Sequence, residues 1–367
     1  LTPEFVKAFG KSIQKGNNFV LNVCPMCEGQ KTFEFVGTGG LWKCESCTNG
    51  DVYDIASLRS RLSETELYAG LTIPEPEKPS GLIEVASYVP PPERNRIPTG
   101  FTALDRTLNG LGRGGLTVVT GKTAGGKSTF TGQLALNAIQ AGENVCFYSG
   151  ELSSALFQNW IFSQAAGAQY MKPITTEFGR TDFAVDAEAE KYIRTWLKNR
   201  LYLYDNTDTK IISQNDIISK FEEAHRFYGC NYFVIDNLMT AKTAAAGDRD
   251  FWRAQANFTN EVKAFTNHHD VITILVAHPK KGNDGESYED ISGASEISNF
   301  ATNVIGVRKF DDFDKDKMKT DADGTITVTK NREYGEVGKF DIRFDKATRR
   351  LAGFNDEVTE YDWIKEW

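Results

Sequence analysis

The run Gly121-Lys-Thr-Ala-Gly125-Gly126-Lys127-Ser128 satisfies G-x-x-x-x-G-K-[ST] at every position, after the apolar "LTVVT" and before the helical segment "TFTGQLALNAIQAG". Glycines in such a loop let backbone N–H groups converge on a polyphosphate. Lys127 then meets the β and γ oxygens, and Ser128, followed by Thr129, holds Mg²⁺ at a helix N-terminus. Three further polar residues end apolar runs: Asp236 in "YFVIDN", Glu151 in "NVCFYSGE" and His278 in "VITILVAH". Asp236 is suited to Mg²⁺, directly or through water, and Glu151 to polarising the water that attacks a γ-phosphate. His278 is suited to sensing that phosphate. The plainer readings are a strand-end polar residue, a helix-capping carboxylate and a structural histidine. Some two hundred residues past the loop, "TKNREYGEVGKF" sets Lys330 and Arg332 around Asn331, on a segment poorly placed to fold back onto its own loop.

A second chemistry lies near the start. Cys24-Pro-Met-Cys27 and Cys44-Glu-Ser-Cys47 enclose sixteen residues, the spacing of a four-thiolate Zn²⁺ site. Between them "KTFEFVGTGGLWK" reads as strand, Gly-rich turn and strand, a zinc ribbon. The ribbon is either a metal-stapled subdomain or a surface on which Phe33, Phe35 or Trp42, beside Lys31 and Lys43, stack on single-stranded bases. Cys146 and Cys230 stand alone in apolar segments, which suits reduced thiols.

These residues need elements to hold them. The chain has 367 residues, 40% hydrophobic and 25% charged, the composition of a globular protein of about two domains. The apolar runs "LTVVTG", "NVCFYSGE", "YFVIDN", "VITILVAH" and "NVIGVRK" are short and β-branched and alternate with helical-length segments. That pattern predicts an α/β core with a mainly parallel sheet and helices on both faces. "TITVTKNR", "KFDIRFD" and "RLAGF" predict an antiparallel extension at the sheet edge. Before the core, residues 1–70 form a zinc-ribbon unit with a helix at "DIASLRSRLSETELYAG", where Ser63 and Glu66 read as a capping box. Residues 71–96 are a proline-rich linker, 97–354 the ATPase domain and 355–367 an acidic tail ending on an aromatic.

Net charge is −8, so nucleic-acid contact must come from a local lining rather than a basic coat. The long polar, Gly-rich stretch "PKKGNDGESYEDISGASEIS" after His278 carries Lys280 and Lys281 and suits a loop that tracks phosphates, or else a solvated surface. No apolar run reaches membrane-spanning length. The expected compartment is the cytoplasm; the first residue is Leu1 rather than Met, which leaves a trimmed leader open.

Taken together, "IPTGFTALDRTLNGLGRGGLTVVTG", "GKTAGGKS", "FYSGE", "VIDN", "VAHPKK", "SGASEISNFATNVIGVRK" and "KNREYGEVGKFDIRFD" resemble the hexameric replicative helicases of the DnaB type, nearest the phage primase-helicases and the mitochondrial helicase Twinkle. The resemblance covers roughly residues 95 to 354. It implies a RecA-like fold, a homo-hexamer or heptamer around single-stranded DNA, ATP or dNTP with Mg²⁺ held between subunits, and 5′–3′ translocation with duplex unwinding. It implies roles residue by residue. Gly121, Gly125, Gly126, Lys127, Ser128 and Thr129 hold the nucleotide and Mg²⁺, Asp236 belongs to the Mg²⁺ shell, and Glu151 is the general base. His278 couples the γ-phosphate to a DNA loop containing Lys280, Lys281, Asn283, Ser292, Gly293 and Ser295. Lys330 and Arg332 are the sensor and arginine finger that act on a neighbouring subunit's nucleotide. Phe344 stacks on the base, with Arg308 a candidate for its other face. A separate primase and a replicative DNA polymerase are the partners implied, through the ribbon or the acidic tail, in the cytoplasm of a phage-infected host or in mitochondria.

One departure is the ribbon. Phage primase-helicases set a primase catalytic domain between ribbon and helicase, and the linker here is too short for one. Two other readings stand beside the helicase: a RadA/Sms-type recombination ATPase, whose family shares a four-cysteine site and a Lys-Asn-Arg motif, and an ATP-gated single-strand DNA clamp or loader that does not unwind. The first family continues into a protease-like domain; the second does not need Glu151.

Overall fold

The computed structural model describes residues 6–7, 9–25, 27–36, 41–47, 49–50, 85–86, 89, 96–204, 213–238, 248–279 and 294–366. The expected helix at 51–70, nearly all of the 71–96 linker, and Lys280, Lys281, Asn283, Ser292 and Gly293 lie outside them. Ser295 falls in a described helix. The chain divides into two compact units, Leu1–Pro91 and Pro92–Trp367.

The first unit is a five-stranded antiparallel sheet in sequential order, β1 (Ser12–Lys15), β2 (Asn18–Val23), β3 (Gln30–Val36), β4 (Leu41–Cys44) and β5 (Asn49–Gly50). The β3–β4 pair is the hairpin expected between the cysteine pairs. Its aromatics correct the stacking expectation: Phe33 and Phe35 are fully buried and Trp42 is 2% exposed. Phe33 stacks on Trp42 at 4.9 Å and meets Phe35 edge-on at 5.1 Å. Alternation along β3 turns Phe33 and Phe35 to one face, where they join Trp42, Val6, Phe19 and Leu21 in the small core on which a unit of this size depends. Those rings are therefore closed to nucleobases.

The second unit begins with α1 (Thr102–Leu108), then β6 (Leu116–Thr120), α2 (Lys127–Gln140), β7 (Asn144–Ser149) and α3 (Ser154–Ala166). A hairpin of β8 (Met171–Thr175) and β9 (Thr181–Val185) follows, a separate two-stranded sheet that the apolar runs do not announce. Next come α4 (Ala187–Leu197), β10 (Leu201–Leu203), α5 (Gln214–Tyr228), β11 (Cys230–Asp236), α6 (Asp248–His268) and β12 (Ile272–Val276). The remainder is α7 (Ala294–Phe300), β13 (Asn303–Lys309), α8 (Asp312–Met318), β14 (Gly324–Asn331), β15 (Gly338–Asp345) and β16 (Arg350–Gly353).

Nine of these strands form one sheet in the order β10-β7-β11-β12-β6-β13-β14-β15-β16. The five apolar runs supply its contiguous centre, all parallel, and β14 to β16 add the antiparallel extension. Side chains alternate between two cores, as strands buried on both faces must. Val119, Tyr232 and Val234 face α2, α3 and α4, while Val118, Phe233 and Ile235 face α5 and α6.

The C-terminal residues differ from a free acidic tail. Trp363 is fully buried and Tyr361 is 2% exposed, both in the core on the α2 face. Arg350, 4% exposed, donates to the carbonyls of Gln164, Ala165 (2.9 Å) and Thr359 (2.6 Å), and Trp363 Nε1 donates to Ala165 O at 2.9 Å. The last carbonyls of α3 have no partners within their own helix; β16 and the C-terminal segment provide them.

Candidate functional site

The phosphate-loop motif and the segments carrying Glu151, Asp236 and His278 all reach the same edge of the sheet, because parallel strands end on one side. The loop leaves β6 at Thr120, Glu151 lies two residues past β7, Asp236 ends β11 and His278 lies two residues past β12. They line a cleft of about 310 Å³ with Gly125, Gly126, Lys127, Ser128, Thr129, Arg308 and Phe344. Gly121 has φ +152°, and a Cβ there would run into the Val307 carbonyl of β13; Gly126, at φ +95°, caps α2 in the left-handed region. Both positions require glycine. Gly121 itself does not line the cleft.

Lys127, only 7% exposed, donates to Gly121 O at 2.7 Å and Lys122 O at 2.8 Å. Burial lowers its pKa, while Asp236 and Glu151 act in the opposite sense. Asp236 is pushed up to about 6, first by burial and also by Glu151, with the Ser128 hydroxyl and Lys127 opposing. A buried carboxylate beside a hydroxyl is a donor set that suits a divalent cation. Ser128 and Asp236 thus fit Mg²⁺.

Glu151 and His278 meet through a residue that the sequence reading passed over. Asn237 is 1% exposed; its Nδ2 donates to Glu151 Oε1 and, at 2.8 Å, to His278 Nε2, while His278 Nε2 stands 3.5 Å from Glu151 Oε1. Burial lowers the His278 pKa, Lys127 adds to this and Glu151 opposes it. The signal available for Asn237 was its place beside Asp236, but an Asn after a strand is common at turns.

Phe344, Ile342, Leu351, Trp160 and Arg349 also line the cleft. Lys309 Nζ lies 5.4 Å from the Phe344 ring centroid, and the Arg349 guanidinium lies 3.8 Å over Trp160. Arg308 lines the cleft, but its Nη2 is paired with Asp314 at 2.7 Å. Trp160 and Arg349 come from α3 and the turn before β16; nothing in local sequence links them.

Lys330 and Arg332 are not in this cleft. Arg332 N donates to Thr302 O at 2.9 Å and Thr302 N to Leu116 O at 2.7 Å, which sets Arg332 level with the start of β6. Buried Asn331 fixes the turn by donating to Thr107 O at 2.9 Å and accepting from Tyr334 N at 3.2 Å. Lys330 Nζ donates to Ser298 O at 2.5 Å and Arg332 Nη2 to Asn299 O at 2.7 Å. Lys263, also missed, joins them with its Nζ on Gly114 O at 2.8 Å. Burial, then Arg332, lowers the pKa of both Lys263 and Lys330. Lys263 Nζ also reaches the Thr302 hydroxyl at 3.5 Å.

The zinc-site cysteines converge. The four Sγ atoms lie within 4.8 Å of one another, with Cys24–Cys47 at 3.9 Å and Cys27–Cys44 at 3.7 Å. A tetrahedron with Zn–S near 2.3 Å has edges of about 3.8 Å, so the set fits zinc. Burial opposes ionisation of Cys44, but the Thr32 hydroxyl at 3.2 Å, the Ser46 backbone N–H and the neighbouring cysteines bring it down to about 6.

A nine-stranded sheet of this order, with a phosphate loop after β6, is the RecA-like class of P-loop ATPase. Residues 96–353 match the DnaB-like helicase C terminal domain family, and the chain belongs to it. It is 24% identical over 274 residues to the replicative DNA helicase DnaB of Geobacillus stearothermophilus, covering 68% of this chain and 58% of that protein. Over the same length and shares it is 23% identical to the replicative DNA helicase DnaC of Bacillus subtilis strain 168. The chain thus spans under two thirds of these relatives' length. Among solved structures, the ATPase domain of G40P superposes with TM-score 0.59 at 19% identity, over 72% of this chain and 93% of that one. A DnaB-like replicative helicase described with its primase interactions gives 0.58 at 20%, over 72% and 63%. These likenesses support the fold.

Proposed function

We propose that the protein is a ring-forming, ATP-dependent replicative DNA helicase that translocates on single-stranded DNA and unwinds duplex. The reading rests on one observation: Lys127, Ser128, Glu151, Asp236 and His278 share a cleft, while Lys330 and Arg332 stand at the far end of the sheet. Such a site is half a site. A second copy of the chain would present its Lys330 and Arg332 to the cleft, so hydrolysis requires assembly as a hexamer or heptamer.

In this reading the P-loop N–H groups and Lys127 bind the β and γ phosphates of ATP or a dNTP. Ser128 and Asp236 hold Mg²⁺, which supplies charge neutralisation on those oxygens. Glu151 takes a proton from the water that attacks the γ-phosphorus, and the bond to the β–γ bridging oxygen breaks to give the nucleoside diphosphate and phosphate. Arg332 of the neighbour stabilises the charge that develops. Phe344 and the Trp160–Arg349 wall receive the base. Residues 280–295 contact DNA by family analogy, the cysteine site holds zinc, and a primase or polymerase is a candidate partner of the ribbon surface.

The test is DNA-dependent hydrolysis and forked-duplex unwinding by the purified protein, with electron microscopy in the presence of a non-hydrolysable ATP analogue and single-stranded DNA. Rings with unwinding are expected. Rings without unwinding would favour a clamp, and a persistent monomer would remove the helicase reading. Glu151→Gln is expected to cut hydrolysis by about 100-fold or more with ATP binding retained.

A further inference from the structure

Asn237 sits between the two residues that the proposed hydrolysis needs most, and its amide nitrogen reaches both. One Nδ2 hydrogen goes to Glu151 Oε1 and the other to His278 Nε2, 2.8 Å away. The orientation of the amide follows from its neighbour: turned over, its carbonyl oxygen would face the Glu151 carboxylate, oxygen against oxygen. His278 Nε2 must then accept, which fixes a neutral ring with its proton on Nδ1. The backbone holds the amide in place, since Asn237 is 1% exposed and follows directly on Asp236 at the end of β11.

A carboxylate oxygen that accepts a hydrogen bond from a fixed donor is a weaker base and is tied to one rotamer. Glu151 itself is half-exposed, with 51% of its side chain accessible, so burial does not immobilise it. His278 shares the donor. Any movement of the His278 ring that gives up Nε2 also disturbs the hydrogen bond to Glu151, because both hydrogens belong to one planar group.

We propose that Asn237 is a positioning residue that restrains Glu151, clamping it to His278 so that ATP hydrolysis stays low until the clamp is released. The inference rests on the reading of Glu151 as general base, and single-stranded DNA is the releasing ligand which that reading supplies. Asn237 touches neither the attacking water nor the phosphate in this role; it acts through Glu151.

The experiment is steady-state ATP hydrolysis by the full chain, with and without single-stranded DNA, for the natural protein, Asn237→Ala and Asn237→Leu. Asn237→Leu nearly keeps the side chain's shape and loses both donor hydrogens without adding a charge, so it decides the matter if the alanine variant does not fold. The expected result is a rise of about tenfold or more in DNA-free kcat, the scale of one charged hydrogen bond. KM for ATP should stay unchanged and the DNA-stimulated kcat nearly so, so that stimulation by DNA shrinks. A residue that only supports the fold would lower both rates. DNA-free kcat that is unchanged or reduced in the folded variant overturns the clamp. Absence of DNA stimulation in the natural protein would count instead against the helicase reading, and the DNA-free rates would still decide the role of Asn237.

Discussion

Lys127 and Arg332 stand at opposite ends of the same central strands. Lys127 opens α2 just past the C-terminal end of β6, and Arg332 is tied through Thr302 to Leu116 at the start of that strand. Five strand residues separate the two levels, about 16 Å of backbone.

That separation leads to a prediction about mixing. Arg332→Ala is expected to lower hydrolysis by about 1,000-fold, with nucleotide affinity in a fluorescent-analogue titration nearly unchanged. Blending the variant with natural subunits should depress activity more steeply than the mixing ratio. A linear fall would mean that each subunit completes its own site.

For the ribbon, one zinc ion per chain is expected by elemental analysis. Chelation should expose Cys24, Cys27, Cys44 and Cys47 to alkylation and abolish the protection of Phe33 and Trp42. Structural zinc contributes on the order of 10 kcal/mol to the folding of small domains, so Cys44→Ser should leave the first unit unfolded under native conditions, read by limited proteolysis. Full protection of that unit in chelator would show that its aromatic core suffices.

The C-terminal residues should behave as core. Trp363→Ala removes a fully buried ring and the hydrogen bond to Ala165 O, a change that costs about 3–5 kcal/mol and lowers the melting temperature of the ATPase unit by about 10 °C. Calorimetry checks it. A melting temperature that stays put would return these residues to the status of a tail.

A pH effect follows from Asp236. Its carboxyl is raised to about 6 from an unfolded value near 3.8, so in the ionised form it opposes folding. That penalty is complete above about pH 6 and is relieved as pH falls from there towards the unfolded value. Mg²⁺ bound by Ser128 and Asp236 competes with the proton. The gain in melting temperature from Mg²⁺ should therefore be larger at about pH 7.5 than at about pH 5.5; equal gains would take Asp236 out of the Mg²⁺ shell.

Much of the fold was legible because its strands are buried on both faces. Each then reads as an unbroken β-branched run, and Asp236 and His278 mark where two of those runs end. The β8–β9 hairpin was not legible: its residues are largely exposed, as at Lys172, Ile174 and Phe178, so no apolar pattern separates it from a loop. The ribbon shows the reverse difficulty. "TFEF" announces a strand with two aromatics on one face, but whether that face meets water or a core depends on how much else is present to cover it.

The sequence by itself determined the chemistry held in contiguous motifs: a phosphate loop whose glycines backbone geometry demands, four cysteines spaced for a tetrahedral metal, and carboxylates at strand ends. Only the tertiary structure decided which distant residues share a surface. Asn237 came between Glu151 and His278, Arg349 came over Trp160, Lys263 joined Lys330 and Arg332, and Trp363 closed the end of α3. Each of these pairings crosses from one strand or helix to another, where chain spacing carries no information and packing sets the distance.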